Sequence, residues 1–201
     1  MDEENERREA KGERPMFILA DEPYRVFAFD GVKVPPMLPL SKWTCVLGSF
    51  SKSLSLPGER VGYFLANPAM PEQQSLIQAV TLMTRTLGYV NAPVIGQRLA
   101  AELTDETVDL EIYDRRRKLM TKVLRDAGVE FEEPKGAFYF FVKSPVKDDF
   151  KFVDALAEEN ILAVPGTGFG FSGYVRICCA VDEKVIARSA DGFKRVMAKF
   201  R

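Results

Sequence analysis

Apolar residues fall into short blocks separated by polar and turn residues, and the blocks follow two different periods. Met16-Phe17-Ile18-Leu19-Ala20 is a continuous apolar run that ends in Asp21-Glu22-Pro23. Its length and its turn-forming exit predict a buried strand with a carboxylate at its C-terminal end. Trp43-Thr44-Cys45-Val46-Leu47 predicts a second buried strand, leading into Gly48-Ser49-Phe50-Ser51-Lys52. Val61 to Ala66 predicts a third, closed by Asn67-Pro68. Residues 31–41 hold three prolines and read as a loop. Functional groups of parallel α/β sheets lie at strand C-termini, where Asp21 and the Ser49–Lys52 segment are expected. Residues 71–87 are expected to be helical, with a break at Asn91-Ala92-Pro93. Val94 to about Ala127 reads as one long, bent helix capped by Gly128.

A second arrangement follows. Ala137–Lys143 predicts a strand, Asp149–Glu158 a helix, Ile161–Val164 a short strand, Tyr174–Ala180 a strand, and Asp182–Lys199 a last helix. This is a small α/β domain with its own core. Residues 2–14 are charged and polar without an apolar stripe, which suits a solvated helix or a frayed tail.

The chain has 201 residues, 46% of them hydrophobic, enough for one sizeable domain or one and a half small ones. Its 28 basic and 29 acidic residues nearly cancel and form no basic patch, which argues against nucleic acid as a partner. No apolar run has the length of a membrane span. The opening MDEENERREA is unlike a signal peptide, so the cytoplasm is the expected location. Three cysteines, two of them adjacent, make a poor disulfide framework and fit a reducing compartment. Cys178 and Cys179 lie in an apolar run and read as strand residues. With no histidine there is no Ser-His-Asp triad, Cys-His pair or histidine metal site, and no metal centre is expected.

The segment from Ser49 to Tyr63 concentrates the chemistry. It places two hydroxyls, Ser49 and Ser51, and the amine of Lys52 just after a buried strand, with Arg60 eight positions later (60 − 52 = 8). Hydroxyls and a guanidinium can hold a phosphate. A lysine beside them can form a Schiff base with a carbonyl. A phosphate, a carbonyl and a lysine together point to pyridoxal phosphate (PLP). By composition alone, the same residues also fit a surface loop.

The order Ser49, Ser51, Lys52, Gly58, Arg60, Gly62 resembles the lysine motif of class I aminotransferases, S-x-S-K-x-x-x-x-x-G-x-R-x-G, in the fold-type-I PLP superfamily. Ala20-Asp21-Glu22-Pro23-Tyr24 is similar to the family's D-E-x-Y element. Pro165-Gly166-Thr167-Gly168-Phe169-Gly170 before Tyr174-Val175-Arg176 is similar to its P-G-x-x-F-G turn. Gly136-Ala137-Phe138-Tyr139 resembles its G-(A/G)-F-Y element. The resemblance spans residues 16–200. It implies that Lys52 holds PLP through a Schiff base and that Ser49, Arg60 and more weakly Ser51 bind the phosphate. It further implies that Asp21 pairs with the pyridine nitrogen, Tyr24 bonds the phenolic oxygen and Arg176 clamps the substrate α-carboxylate.

The family's chains are roughly twice as long, so the resemblance implies a C-terminal half without the N-terminal half, either a truncated chain or a split gene product. The implied fold is α/β: residues 1–127 as part of the large PLP-binding domain with three strands and a connecting helix, and residues 128–201 as the small C-terminal domain. The implied activity is amino-group transfer between an amino acid and a 2-oxo acid, in a homodimer. A PLP lyase or decarboxylase of the same fold, and a non-catalytic dimerisation module, stand as alternatives. Arg85 lies near the stretch where dicarboxylate-specific members place an arginine.

Overall fold

A computed structural model describes residues 1–200. The chain divides into two compact units, Met1–Val26 with Lys33–Val108, and Phe27–Val32 with Asp109–Arg201. This differs from the expected boundary after residue 127. The helix Leu110–Ala127 belongs with the second unit, as does the short segment Phe27–Val32 from the loop between the first two strands.

The first unit opens with α1 (Asp2–Glu9), whose Asn5 side chain is buried and exchanges two 2.8 Å hydrogen bonds with the Met16 backbone. The Asp2 carboxylate also accepts from the Ser41 hydroxyl, so the charged N-terminal stretch is tied down at two points. A mixed sheet follows in the order β1 (Ile18–Asp21), β2 (Thr44–Ser49), β3 (Gly62–Ala66). β1 and β2 are parallel, and β2 and β3 antiparallel. Cys45, Ala66 and Met70 form a buried cluster, against which Phe64, Leu76 and Ile77 pack. Leu76 and Ile77 come from α3 (Gln73–Thr86).

β1 is less buried than its apolar sequence predicts. Ile18 and Ala20 are half-buried, while Phe17 is 51% and Leu19 61% exposed. β1 has a strand neighbour on one side only, and the cluster that packs over Cys45 and Ala66 does not extend over Leu19.

The expected long helix is two helices, α4 (Val94–Glu102) and α5 (Leu110–Ala127). Between them the backbone N–H of Val108 and the hydroxyl of Thr107 both donate to the Ser53 carbonyl, at 2.8 and 3.1 Å. Asp109 restarts the helix as N-cap, accepting from the Glu111 amide, and Gly128 ends it at φ 77°, as expected.

In the second unit a three-stranded antiparallel sheet runs in the order β4 (Tyr139–Lys143), β6 (Tyr174–Cys178), β5 (Val164–Pro165). One face is the core: Phe140, Val142 and Val175 are fully buried and Ile177 nearly so. Leu124 of α5, Phe152 and Leu156 of α6 (Asp149–Glu158), and Ile186, Phe193 and Val196 of α7 (Glu183–Lys199) complete it. Burying each such side chain contributes about 1.5–3 kcal/mol. Cys178 lies in β6 and Cys179 just past it, where burial pushes the Cys179 thiol up to about 12. Among the described residues, no helix is long and apolar enough to cross a membrane.

Candidate active site

The parallel register sets the geometry at the end of the first sheet. Asp21, last residue of β1, pairs with Leu47 of β2, and Ser49 ends β2 two residues later. Strand spacing and rise put the Asp21 and Ser49 backbones about 8 Å apart, with both side chains on the same face of the sheet. Ser49 is the N-cap of α2 (Phe50–Ser53), and its hydroxyl oxygen accepts from the Ser51 amide at 3.2 Å. That cap turns the chain from strand to helix and presents Ser51 and Lys52 immediately beyond the strand end. The clamp of Thr107 and Val108 on the Ser53 carbonyl holds the other end of this short helix. Neither partner was foreseen, because both lie some 54 residues further on.

The chain returns through Pro57–Glu59 to Arg60 and enters β3 at Gly62, which pairs with Ser49. The motif glycine at 62 has a steric cause, since a Cβ there would sit 2.6 Å from the Gly48 carbonyl oxygen. Gly96 of α4 likewise fits against Val61 and Glu59, where a Cβ would come within 2.6 Å of the valine, so α4 flanks Arg60 closely. Arg60 itself is exposed and adopts the left-handed conformation at φ 53°, with Nη1 donating to the Pro57 carbonyl at 2.7 Å. Its other N–H groups remain available to an anion.

Asp21, Ser49, Ser51, Lys52 and Arg60 therefore gather at one end of one sheet. Among the described residues, no hydrogen bond or ion pair takes up the Lys52 ammonium or the Asp21 carboxylate. A pocket of about 170 Å3 opens beside them, lined by Glu22, Ser49, Ser53, Tyr63 and Thr104 among others. Tyr24 lies in the turn after Asp21. Arg25 braces that turn, donating to Glu22 at 2.9 Å and to the Pro35 and Val34 carbonyls at 3.0 and 2.7 Å. This brace had no local sequence signal. An uncommitted amine, an uncommitted carboxylate, two hydroxyls and a guanidinium suit a phosphorylated pyridine aldehyde.

Arg176 occupies the middle strand of the second unit, paired with Phe141 on one side and Val164 on the other. Its guanidinium lies 4.7 Å from the Tyr139 ring centre and 4.4 Å from that of Phe169. Phe141, Phe171 and Tyr174 add further rings, Phe141 and Tyr174 stacked 5.3 Å apart. Among the described residues, no carboxylate pairs with Arg176. The glycine run before it closes a single tight turn, Gly166–Phe169, and opens no α-helix. A larger cavity of the second unit, about 430 Å3, is lined largely by apolar side chains such as Ile161, Leu162 and Val185 and holds none of the expected site residues.

Residues 8–193 match the family described as aminotransferase class I and II. The chain belongs to that family. An aromatic-amino-acid aminotransferase of Thermococcus litoralis is 29% identical to it over 92% of this chain and 50% of its own. An aspartate aminotransferase of Pyrococcus horikoshii is 29% identical over 90% of this chain and 48% of its own. Among solved structures, an aminotransferase from Eubacterium rectale superposes with a TM-score of 0.89 at 39% identity, covering 98% of this chain and 49% of its own. Aspartate aminotransferase from Thermotoga maritima superposes at 0.77 and 27% identity, covering 94% of this chain and 49% of its own. The α/β fold is thus that of the family, and the chain spans about half the length of the relatives it matches. PLP is the family's cofactor, and the residues at the sheet end fit it.

Proposed function

We propose that this chain carries the cofactor lysine and the substrate-carboxylate arginine of a PLP-dependent aminotransferase, and that the complete protein moves an amino group between an amino acid and a 2-oxo acid. The observation that supports this most is the position of Lys52, uncommitted, one helical turn beyond the strand end where Asp21, Ser49 and Arg60 converge. When bound, PLP supplies an electron sink for the substrate Cα. Asp21 holds the proton on the pyridine nitrogen, since a carboxylate beside that nitrogen favours its charged form. Ser49, Ser51 and Arg60 bind the phosphate through hydroxyl and guanidinium donors. Tyr24 donates to the ring oxygen. Lys52 Nζ would carry the proton between the substrate Cα and the cofactor's C4′. Arg176 receives the substrate carboxylate in its planar fork.

Two surfaces support association with further polypeptide. β1 is an edge strand with Phe17 and Leu19 exposed, which suits packing by the part of the relatives' length that this chain does not span. Leu82, Met83, Leu87, Tyr89, Val94 and Ile95 are exposed around the end of α3 and the start of α4, which suits a homodimer. The setting is the cytoplasm.

The test is reconstitution with a polypeptide matching the other half of a relative, followed by PLP addition, borohydride reduction and peptide mapping. Label on Lys52, and its loss in Lys52→Ala, is the expected result. Label on a different lysine would refute the assignment. Formation of pyridoxamine phosphate from an added amino acid separates transamination from decarboxylation or lyase chemistry.

A further inference from the structure

Arg176 can receive a carboxylate in two-pronged fashion only if its guanidinium plane is held in one orientation. Two aromatic rings lie at stacking distance from it, and they are supported very differently. Tyr139 belongs to β4, inside a hydrogen-bonded ladder. Phe169 closes the turn Gly166–Phe169, is 50% exposed, and belongs to no strand. Something else must hold that turn.

Asp149 does so. It is the first residue of α6, 2% exposed, and its carboxylate accepts from the Thr167 amide at 2.7 Å and from the Thr167 hydroxyl at 2.8 Å. Burial opposes the charge, but the Thr167 amide and hydroxyl, together with the Asp149 and Gly166 backbone amides, outweigh it and hold the carboxyl below its usual range. Within the turn, Gly170 N–H donates to the Thr167 carbonyl and Phe171 N–H to the Gly166 carbonyl. Gly166 is packed so tightly that a Cβ would lie 2.3 Å from the Phe171 carbonyl oxygen. Asp149 is thus a buried side-chain anchor for the turn, whose start is also packed at Gly166, while its exposed end carries the ring that faces Arg176. A carboxylate with only a stapling duty does not require the stapled segment to end on the arginine.

We infer that Asp149 is a positioning residue for substrate-carboxylate binding: by fixing Thr167 it sets Phe169 against the Arg176 guanidinium and so aims the arginine fork. The inference rests on the reading of Arg176 as the carboxylate-binding arginine. Freeing one long side chain before binding costs roughly 3- to 10-fold in affinity.

The experiment follows the Arg176 Nε–H resonance of the 15N-labelled chain, identified by its disappearance in Arg176→Gln, with propionate as the probe. In the wild-type chain the resonance is ring-current shifted, rigid on the nanosecond scale, and responsive to propionate. Asp149→Asn and Thr167→Val move it towards the free-arginine position, raise its mobility and weaken propionate binding roughly 3- to 10-fold. Thr167→Ser, which keeps the hydroxyl, restores the wild-type signal. In the reconstituted enzyme Asp149→Asn raises KM for the amino acid and leaves kcat close to wild type. An unchanged Arg176 resonance in a folded Asp149→Asn or Thr167→Val chain overturns the positioning role. Propionate weakened by Arg176→Gln but not by either anchor variant overturns it as well, and leaves the arginine reading intact. No propionate response at Arg176 in the wild-type chain sinks the arginine reading itself.

Discussion

Arg60 offers a direct trade between stability and function. It is a non-glycine residue at φ 53°, ψ 42°, where an L side chain crowds its own backbone at a cost of about 1–2 kcal/mol. Replacing it with alanine keeps that strain and removes the guanidinium, while replacing it with glycine removes both. The exposed Arg60–Pro57 hydrogen bond is lost in either variant and cancels in the comparison. Glycine's larger unfolded-state entropy offsets part of the relief, leaving Arg60→Gly about 1 kcal/mol more stable than Arg60→Ala. In urea this is a midpoint difference of roughly 0.3–1 M for the transition of the first unit. Phosphate binding responds differently. Each variant loses a charge-assisted bond of about 1.5–3 kcal/mol, which weakens PLP affinity by roughly 10- to 150-fold in the reconstituted protein. Absorbance titration reads the second quantity, and urea unfolding followed by Trp43 fluorescence the first. Equal stability of the two variants would refute the strained geometry. Wild-type PLP affinity in either would remove Arg60 from the phosphate site.

Asp21→Ala should lower turnover of the reconstituted protein by far more than it lowers PLP affinity, because the pyridine nitrogen loses the group that keeps it protonated; undiminished turnover would rule that role out. Arg117 of α5 is 1% exposed and donates to Asp30, Asp114, Glu133 and the Pro134 carbonyl at 2.8–3.2 Å. Arg117→Ala leaves three carboxylates facing one another and should destabilise the second unit by about 3 kcal/mol in urea titration, whereas a shift below about 1 kcal/mol would show the network to be dispensable. Asp149 has a folded-state carboxyl below its ordinary value of 3.8, so its stabilisation is complete above that pH and is lost as pH falls below it. The second unit of Asp149→Asn should therefore show a shallower loss of stability below about pH 4 than wild type, and parallel acid limbs would contradict this.

Features set by neighbours along the chain were readable from residues alone. The helix Asp149–Glu158 has the expected limits because Asp148 accepts from the Lys151 amide at its start. The Ser49–Gly62 motif packs a cap, an amine and a left-handed arginine into one short segment, and the order of its residues carries the resemblance to the family. The break between α4 and α5 was missed although Asp109 is an ordinary N-cap, because apolar spacing on either side masked it. What folding alone decided depends on partners distant in sequence. Asp30 and Arg117 are 87 residues apart, and their ion pair, with the backbone bonds of Phe27 and Phe29 to Ala137 and Lys135, joins Phe27–Val32 to the second unit. Thr107 reaches Ser53 across 54 residues, and Asp149 reaches Thr167 across 18. An apolar run such as Phe17–Ala20 states that burial is favourable, but the order of strands in the sheet determines how much of it occurs. Local propensity and capping act over a few residues, whereas burial and charge pairing are settled only when the chain closes on itself.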